Sequence, residues 1–195
     1  MSTLTATLPH TKPQAAGRKV YLNPVIGDKL VFLKTARETG GAYTLVEIEL
    51  AAGGGNMPHI HRAFSETFIP LEGTLGVRSG REKLRLHPGQ VHTVPPGTPH
   101  YFHNPSDQPV RFQVELRPGH EGFENSLKIA YGLAGDGLTN GKGVPRNPMH
   151  LSVVGILGDT YLPGPLALLM PLFRWLARRA RRNGVEKELL QRYCG

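Results

Sequence analysis

Hydrophobic and polar residues alternate along several short segments between residues 29 and 117, and this two-residue period predicts strands with one buried face. Clusters of glycine and proline, which are typical of tight turns, separate these segments. Several short strands at regular spacing predict an all-β sandwich or barrel. The apolar positions of the clearest segments are Val46, Ile48 and Leu50, then Leu84 and Leu86, and then Val110, Phe112, Val114 and Leu116.

The pattern after residue 118 is typical of helices. An amphipathic period predicts a helix over residues 121–134. Pro165 lies at a favourable first position for a longer helix, and Pro171 is expected to kink or interrupt it, because proline lacks the N–H that a helix interior needs. The other predicted segments are a loop over 135–148, a short helix over 149–158, the proline-interrupted helix over 165–182 and a last turn or two over 184–193.

Length and composition fit one domain with an extension. The 195 residues are enough to bury a core without disulfide bonds, and 24 glycines and 17 prolines suit short strands joined by tight turns. The single cysteine, Cys194, excludes a disulfide framework and a cysteine-rich zinc site. We therefore expect an N-terminal arm over 1–28, a barrel over 29–118 and a mostly helical extension over 119–195.

The sequence predicts neither a leader nor a membrane span. The N-terminal segment has no apolar stretch behind a charged start, and no apolar run reaches the roughly 18 residues that a spanning helix needs. We therefore expect a cytoplasmic protein. The net charge is +8, and most of it belongs to residues 170–195, which carry seven lysines and arginines against two glutamates.

Three histidines and one glutamate occur at a spacing that suits a metal ion. His59 and His61 are two residues apart, so on a strand their imidazoles leave the same face, and Glu66 opens the next strand. His100 follows a Pro-Pro-Gly turn and can reach the same space. Inside an apolar barrel these groups would be costly without a partner, and a divalent ion offsets that cost. Because imidazoles dominate, the group favours Fe(II), Mn(II), Ni(II), Cu(II) or Zn(II) over Ca(II) or Mg(II).

Two motifs contain these residues. The first is G-x5-H-x-H-x4-E-x6-G, beginning at Gly53, and the second is G-x5-P-x-G-x2-H-x3-N, beginning at Gly89. Both resemble the two motifs of the cupin superfamily, and the resemblance covers roughly residues 29–117. It implies a small antiparallel jelly roll, or double-stranded β-helix barrel, with metal ligands at His59, His61, Glu66 and His100. It also implies a homodimer, because cupin-like proteins commonly pair their barrels. The motif positions expected to be structural are Gly53, Gly73, Gly89, Gly97, Pro95 and Asn104.

Residues near the predicted ligands give weaker candidates for catalysis. His92, Tyr101 and His103 lie on predicted strands close to the motif histidines. Strand parity places Tyr101 and His103 on the face opposite His100, and His92 shares a face with Val94. Solvated or packed side chains are the simpler interpretation of all three. No other residue stands out as a general base, so the metal centre itself would carry the chemistry.

The resemblance implies a metal-binding function but does not select one specific activity, so three hypotheses follow. The first hypothesis is a metal-dependent oxygenase, in which open positions on the ion, with Fe(II) favoured, take O₂ and a small organic substrate. The second is a metal-dependent isomerase or lyase, in which the ion acts as a Lewis acid on a carbonyl. The third is a non-enzymatic binding or sensor barrel that contains a metal and contacts a partner or a membrane through its tail.

The basic extension has three interpretations. Its proline-interrupted helix can pack on the barrel or on a second subunit, and this packing would hide Leu166, Leu169, Leu172, Phe173 and Leu176. Alternatively, residues 165–182 can make a peripheral contact with an anionic membrane, with Trp175 at the interface. Nucleic-acid binding by Arg178, Arg179, Arg181 and Arg182 is disfavoured, because no helix-turn-helix pattern or RNA-binding signature accompanies them.

Overall fold

The computed structural model describes residues 17–195, and within them nine strands form two antiparallel sheets. The strands are β1 (Val20–Asn23), β2 (Asp28–Lys34), β3 (Thr44–Leu50), β4 (Ser65–Glu72), β5 (Leu75–Ser79), β6 (Glu82–Leu86), β7 (His92–Val94), β8 (His100–His103) and β9 (Val110–Arg117). The larger sheet has the order β1-β2-β3-β9-β4-β7, and the smaller has the order β6-β5-β8. The sequential strands β3 and β4 are therefore separated by β9, as in a jelly roll.

The apolar positions of the alternating segments form a core between the two sheets, as the sequence predicts. In the centre of the larger sheet, Val46 lies opposite Val114, and Ile48 lies opposite Phe112. All four side chains are buried, while the polar residues between them reach the surface. The largest fully buried side chains of this core are Phe64, Phe68, Phe112, Leu30, Leu50, Leu75 and Leu116.

The turns that join these strands also agree with the sequence. The four motif glycines all have positive φ angles, which side chains with a Cβ atom rarely adopt. The Asn104 side chain donates hydrogen bonds to the carbonyls of Leu50, Ala51 and Gln108, so it fastens the end of β3 to the turn before β9. The glycines are Gly53, Gly73, Gly89 and Gly97, with φ angles of 69°, 78°, 88° and 83°.

Four α-helices and one 3₁₀ helix follow the strands. They are α1 (Glu121–Gly135), α2 (Pro148–Leu157), the 3₁₀ helix (Gly164–Leu169), α3 (Met170–Arg182) and α4 (Val185–Cys194). The predicted interruption at Pro171 is confirmed, because α3 begins at Met170 and places this proline in its first turn. A missing N–H is harmless there, since the first-turn donors have no partner within the helix.

The structure corrects the predicted fold class. Helices form a substantial layer, and the strands described between residues 17 and 195 form two open sheets with no closed barrel. An all-β barrel is therefore an overstatement, whereas the antiparallel jelly-roll arrangement holds. The predicted arm over 1–28 contains β1, which pairs with β2, and its first 16 residues lie outside the described part of the chain.

Helix α1 joins the sheets to the helical layer. Its Tyr131 belongs to the core between the sheets, whereas Ile129 and Leu133 belong to a second apolar cluster with residues of α2, α3 and α4. The buried Glu124 carboxylate accepts hydrogen bonds of 2.6 Å from the Ala36 N–H and from the Thr44 hydroxyl. These bonds fasten the helical extension to the larger sheet.

A buried carboxyl at the start of β2 makes stability depend on pH. Asp28 is 5% exposed, and its Oδ1 has no hydrogen-bond partner among the described residues. Burial raises the pKa of Asp28 from 3.8 to about 7. Because the folded state holds the proton more tightly than the unfolded chain does, the protonated carboxyl favours folding at low pH, and this advantage is lost as pH rises from about 4 to 7.

Asp28→Asn is expected to flatten that dependence and to increase the free energy of unfolding at pH 8 by about 2 kcal/mol. Urea unfolding at pH 5 and pH 8 measures both effects. The exposed Asp107→Asn substitution provides a matched control that should keep the wild-type dependence. An equal loss of stability between the two pH values in wild type and Asp28→Asn would show that this carboxyl does not titrate in the range.

Candidate metal centre

Two sheets and one connecting segment bring the predicted ligands together. Glu66 belongs to β4 in the larger sheet, and His100 opens β8 in the smaller sheet. His59 and His61 lie in the segment between β3 and β4. The backbones of His59 and His100 exchange two hydrogen bonds of 3.0 and 2.9 Å, and the Gly97 N–H donates to the His61 carbonyl. These bonds hold the second motif directly against the first.

The four side chains form one compact group. The ligand atoms that they offer all lie within 4.8 Å of one another. His61, Glu66 and His100 are buried, at 3%, 6% and 2% exposure, while His59 is partly exposed. The group therefore lies inside the protein and is open to solvent on the His59 side.

Backbone carbonyls fix the tautomer of all three histidines. The Nδ1 atoms of His59, His61 and His100 lie 2.7, 3.0 and 2.9 Å from the carbonyl oxygens of Met57, Asp159 and Thr98. A carbonyl can only accept, so each Nδ1 carries the hydrogen and donates it. The Nε2 atoms of His59 and His61 are then left with their lone pairs, which is the form that binds a metal, whereas the His100 Nε2 faces the Glu66 carboxylate.

Electrostatics favour neutral His59 and His61 beside an ionised Glu66, whereas the pKa of His100 is raised. Burial and the neighbouring His61 and His100 lower the pKa of His59 to about 4. Burial also lowers the pKa of His61. Burial alone would raise the pKa of Glu66, but the hydrogen bond with His100 and the nearby imidazoles lower it. Glu66 in turn raises the pKa of His100, against the effect of burial.

The unsatisfied atoms of the group fit a divalent cation. The buried His61 Nε2 has no hydrogen-bond partner within the described chain. The His100 Nε2 lies 2.8 Å from Glu66 Oε2, and in the tautomer fixed by Thr98 both atoms are acceptors. Such a pair needs a cation between or beside it, either a proton or a metal ion. Three imidazole nitrogens and one carboxylate oxygen are a donor set for a transition metal and leave further coordination positions free.

Aromatic side chains surround the buried part of the group. The His61 ring stacks on Phe64 with ring centres 4.6 Å apart, and Phe123 of α1 contacts its edge at 5.6 Å. Phe68 lies 6.4 Å from the His100 ring. An apolar shell of this kind limits water access and strengthens electrostatic interactions at a metal.

Residues 46–117, which include all four of these side chains, match the family model described as Cupin domain. We refer to this matched segment as the cupin domain. The expected resemblance is therefore confirmed, and the helical region that follows it is present in the structure. No curated protein matches the chain.

Solved structures with the cupin fold resemble this part of the chain at low identity. An RmlC-like cupin from Shewanella frigidimarina is 21% identical, covers 55% of this chain and 89% of its own, and has a TM-score of 0.47. A sugar phosphate isomerase of the cupin superfamily from Silicibacter pomeroyi is 20% identical, with coverage of 55% and 75% and a TM-score of 0.47. The polyketide cyclase RemF from Streptomyces resistomycificus is 22% identical, with coverage of 56% and 79% and a TM-score of 0.45.

Asp159 is a residue of the site that the sequence did not reveal. It lies after α2, outside the cupin domain, and its carbonyl accepts the hydrogen bond from His61 Nδ1. Its carboxylate accepts the backbone N–H groups of Arg62 and Ala63 at 2.5 and 2.6 Å. Ile60 and Tyr161 exchange two further backbone hydrogen bonds beside it. The helical extension therefore clamps the segment that carries His59 and His61.

The weak catalytic candidates do not join the metal group. Tyr101 and His103 lie on β8 with ring centres 5.9 Å apart, and the alternation of the strand turns both away from His100. His92 lies on β7, where burial lowers its pKa and the nearby Glu82 carboxylate opposes that shift. None of the three therefore belongs to the group that could hold a metal ion.

Proposed function

We propose that the cupin domain holds one redox-active divalent metal ion, with Fe(II) favoured, and adds oxygen from O₂ to a small organic molecule. The observation that carries the proposal is the compact group of three imidazoles and the Glu66 carboxylate, whose ligand atoms lie within 4.8 Å of one another and whose histidines each hold Nδ1 beside a backbone carbonyl. Imidazole-rich donor sets with open positions suit iron and its neighbours in the transition series.

Each residue of the site has a distinct task in this proposal. His61, Glu66 and His100 hold the ion from the buried side, and His59 completes the set where the site meets solvent. A bound Fe(II) ion would bind O₂ and supply electrons to it. Phe64 and Phe123 pack around His61 and exclude water from the buried side, so a small molecule enters past His59.

The distribution of carboxylates favours oxygen chemistry over isomerisation. An isomerase or lyase moves a proton with a general base, which must have a free acceptor near the substrate. Glu66 is engaged with His100, and the Asp159 carboxylate accepts two backbone N–H groups. Within residues 17–195 no other carboxylate belongs to the group of metal-ligating side chains. A metal-dependent isomerase or a non-enzymatic sensor remains an outcome that the experiment separates.

Metal content and oxygen consumption test the proposal. Protein purified without a histidine tag is expected to contain about one iron ion per chain, and an oxygen electrode should record O₂ uptake with at least one member of a panel of flavonols, thiols and 1,3-diketones. His100→Ala should abolish this uptake, whereas the exposed His87→Ala control should retain it. Stoichiometric zinc without O₂ uptake would favour Lewis-acid catalysis, and the absence of metal after anaerobic reconstitution would overturn the proposal.

A further inference from the structure

The 3₁₀ helix and the first half of α3 expose a continuous set of large apolar side chains. We call this set the apolar ridge, and its members are Leu166, Leu168, Leu169, Leu172 and Trp175, with exposures of 52%, 84%, 43%, 51% and 50%. The sequence predicts that Leu166, Leu169 and Leu172 pack inside. The structure corrects this expectation, because only Phe173 and Leu176 of that predicted set are partly buried.

The inward face of α3 explains why the ridge is left outside. Met170, Ala177 and Ala180 are buried, and α3 packs against α2 and α4. At about 100° per residue, Leu172 and Trp175 point to the opposite side of the helix. Small alanines therefore bring α3 close to its neighbours, while its bulky apolar residues face away from the protein. Packing among residues 17–195 does not account for their presence.

Basic residues continue the same outward face toward the end of α3. Arg178, Arg179 and Arg182 project on the side of Trp175 and line, with Trp175 and Asn183, a pocket of about 120 Å³. Arg181 pairs with Glu186, but among the residues described Arg178, Arg179 and Arg182 have no carboxylate partner. The face thus passes from an apolar end to a cationic end within one helix.

We propose that this face docks the protein on an anionic phospholipid membrane. The apolar ridge enters the boundary between head groups and acyl chains, and Arg178, Arg179 and Arg182 bind lipid phosphates. Guanidinium groups suit phosphate oxygens, and an interfacial helix combines such a basic segment with exposed tryptophan and leucine. Among residues 17–195 no helix has the length and apolarity to cross a bilayer, so the contact is peripheral.

Charge and polarity favour a membrane over other occupants of this face. A second copy of the chain docked through the same face in a two-fold dimer would cover the apolar ridge, but that face would offer further arginines and no anion to Arg178, Arg179 and Arg182. A nucleic acid would satisfy the arginines but would leave the apolar ridge in water. An anionic bilayer supplies an apolar layer for the apolar ridge and negatively charged phosphates for the arginines that follow it.

Vesicle binding by the full-length chain tests the proposal. Flotation should recover the protein with vesicles of equal parts phosphatidylcholine and phosphatidylglycerol, and should leave it free with phosphatidylcholine alone. Combined Arg178→Gln, Arg179→Gln and Arg182→Gln substitutions are expected to weaken binding about 100-fold. A matched control replaces three exposed basic residues of the cupin domain, Arg81, Lys83 and Arg85, with glutamine and should bind like wild type.

Trp175 provides a direct reading of insertion, because it is the only tryptophan in the chain. Its emission should shift to shorter wavelength on anionic vesicles, and brominated lipids should quench it. Leu172→Gln should reduce both signals without changing the helical circular dichroism, since this residue does not pack in the core. Equal binding by the two triple variants, or self-association buried at Trp175 without vesicle binding, would overturn the proposal.

Discussion

Replacing His61 with alanine is expected to lower the bound metal from about one ion per chain to less than about a tenth of an ion. The substitution removes an Nε2 lone pair that is buried, correctly oriented and otherwise without a partner. Two histidines and Glu66 would remain, but the vacated side of the group is enclosed by Phe64 and Phe123, which offer no donor atoms. His100→Ala should have the same effect from the other sheet.

Elemental analysis after gel filtration measures the loss, and thermal unfolding separates it from a folding defect. Added metal should raise the unfolding temperature of wild type, because an ion bound only to the folded state stabilises it. The same addition should leave His61→Ala unchanged, while His87→Ala, on the surface, should respond like wild type. Full metal content in both ligand variants would exclude the four-residue site.

Removing the Asp159 carboxylate is expected to weaken metal affinity about 10- to 100-fold, although this residue does not belong to the ligand group. Asp159→Ala leaves the Arg62 and Ala63 N–H groups without their acceptor. It also places an alanine at a positive φ angle of 50°, where no side-chain hydrogen bond then stabilises the backbone. The carbonyl that accepts the His61 Nδ1 hydrogen belongs to the same residue, so the imidazole loses its fixed orientation.

A series of variants distinguishes positioning from general stability. Asp159→Asn keeps an acceptor oxygen and should retain more affinity than Asp159→Ala, as measured by competition with a chelator and by the electron paramagnetic resonance spectrum of the Cu(II) form. Asp136→Ala removes an ion pair with Arg192 and a hydrogen bond from the Tyr193 hydroxyl, both within the helical extension, and should lower stability alone. If Asp159→Ala binds metal as tightly as Asp136→Ala, Asp159 does not position His61.

Local sequence patterns predicted the strands, the interruption of a helix and the grouping of the motif residues, because each of these depends on residues close together in the chain. The alternation around Ile48 and Phe112 identified strands because a pleated strand turns every second side chain inward. Pro171 identified the point where the predicted helix over 165–182 is interrupted, because proline lacks the N–H that a helix interior needs. The spacing from His59 to Glu66 and the turn before His100 predicted that these side chains come together, since both motifs place them within a few residues of fixed turns.

The features that were missed depend on contacts between distant segments. Asp159 follows a helix in a glycine-containing turn, and nothing in its immediate sequence distinguishes it from a surface residue. Leu172 is exposed because α3 packs against its neighbours through Ala177 and Ala180. The amphipathic pattern alone did not indicate which face of this helix is buried. The open sheets also depend on which strands pair, and alternation reports only which face is buried.

The hydrogen bond between His61 and Asp159 joins residues that are 98 positions apart in the chain. At translation rates of about 5–20 residues per second, the ribosome adds the last of the ligands several seconds before it adds Asp159. During that interval all four ligands exist, but the carbonyl that fixes the His61 tautomer does not. If these side chains hold a metal as proposed, tight binding therefore requires the finished chain, and a nascent cupin domain would hold an ion less firmly than the completed protein.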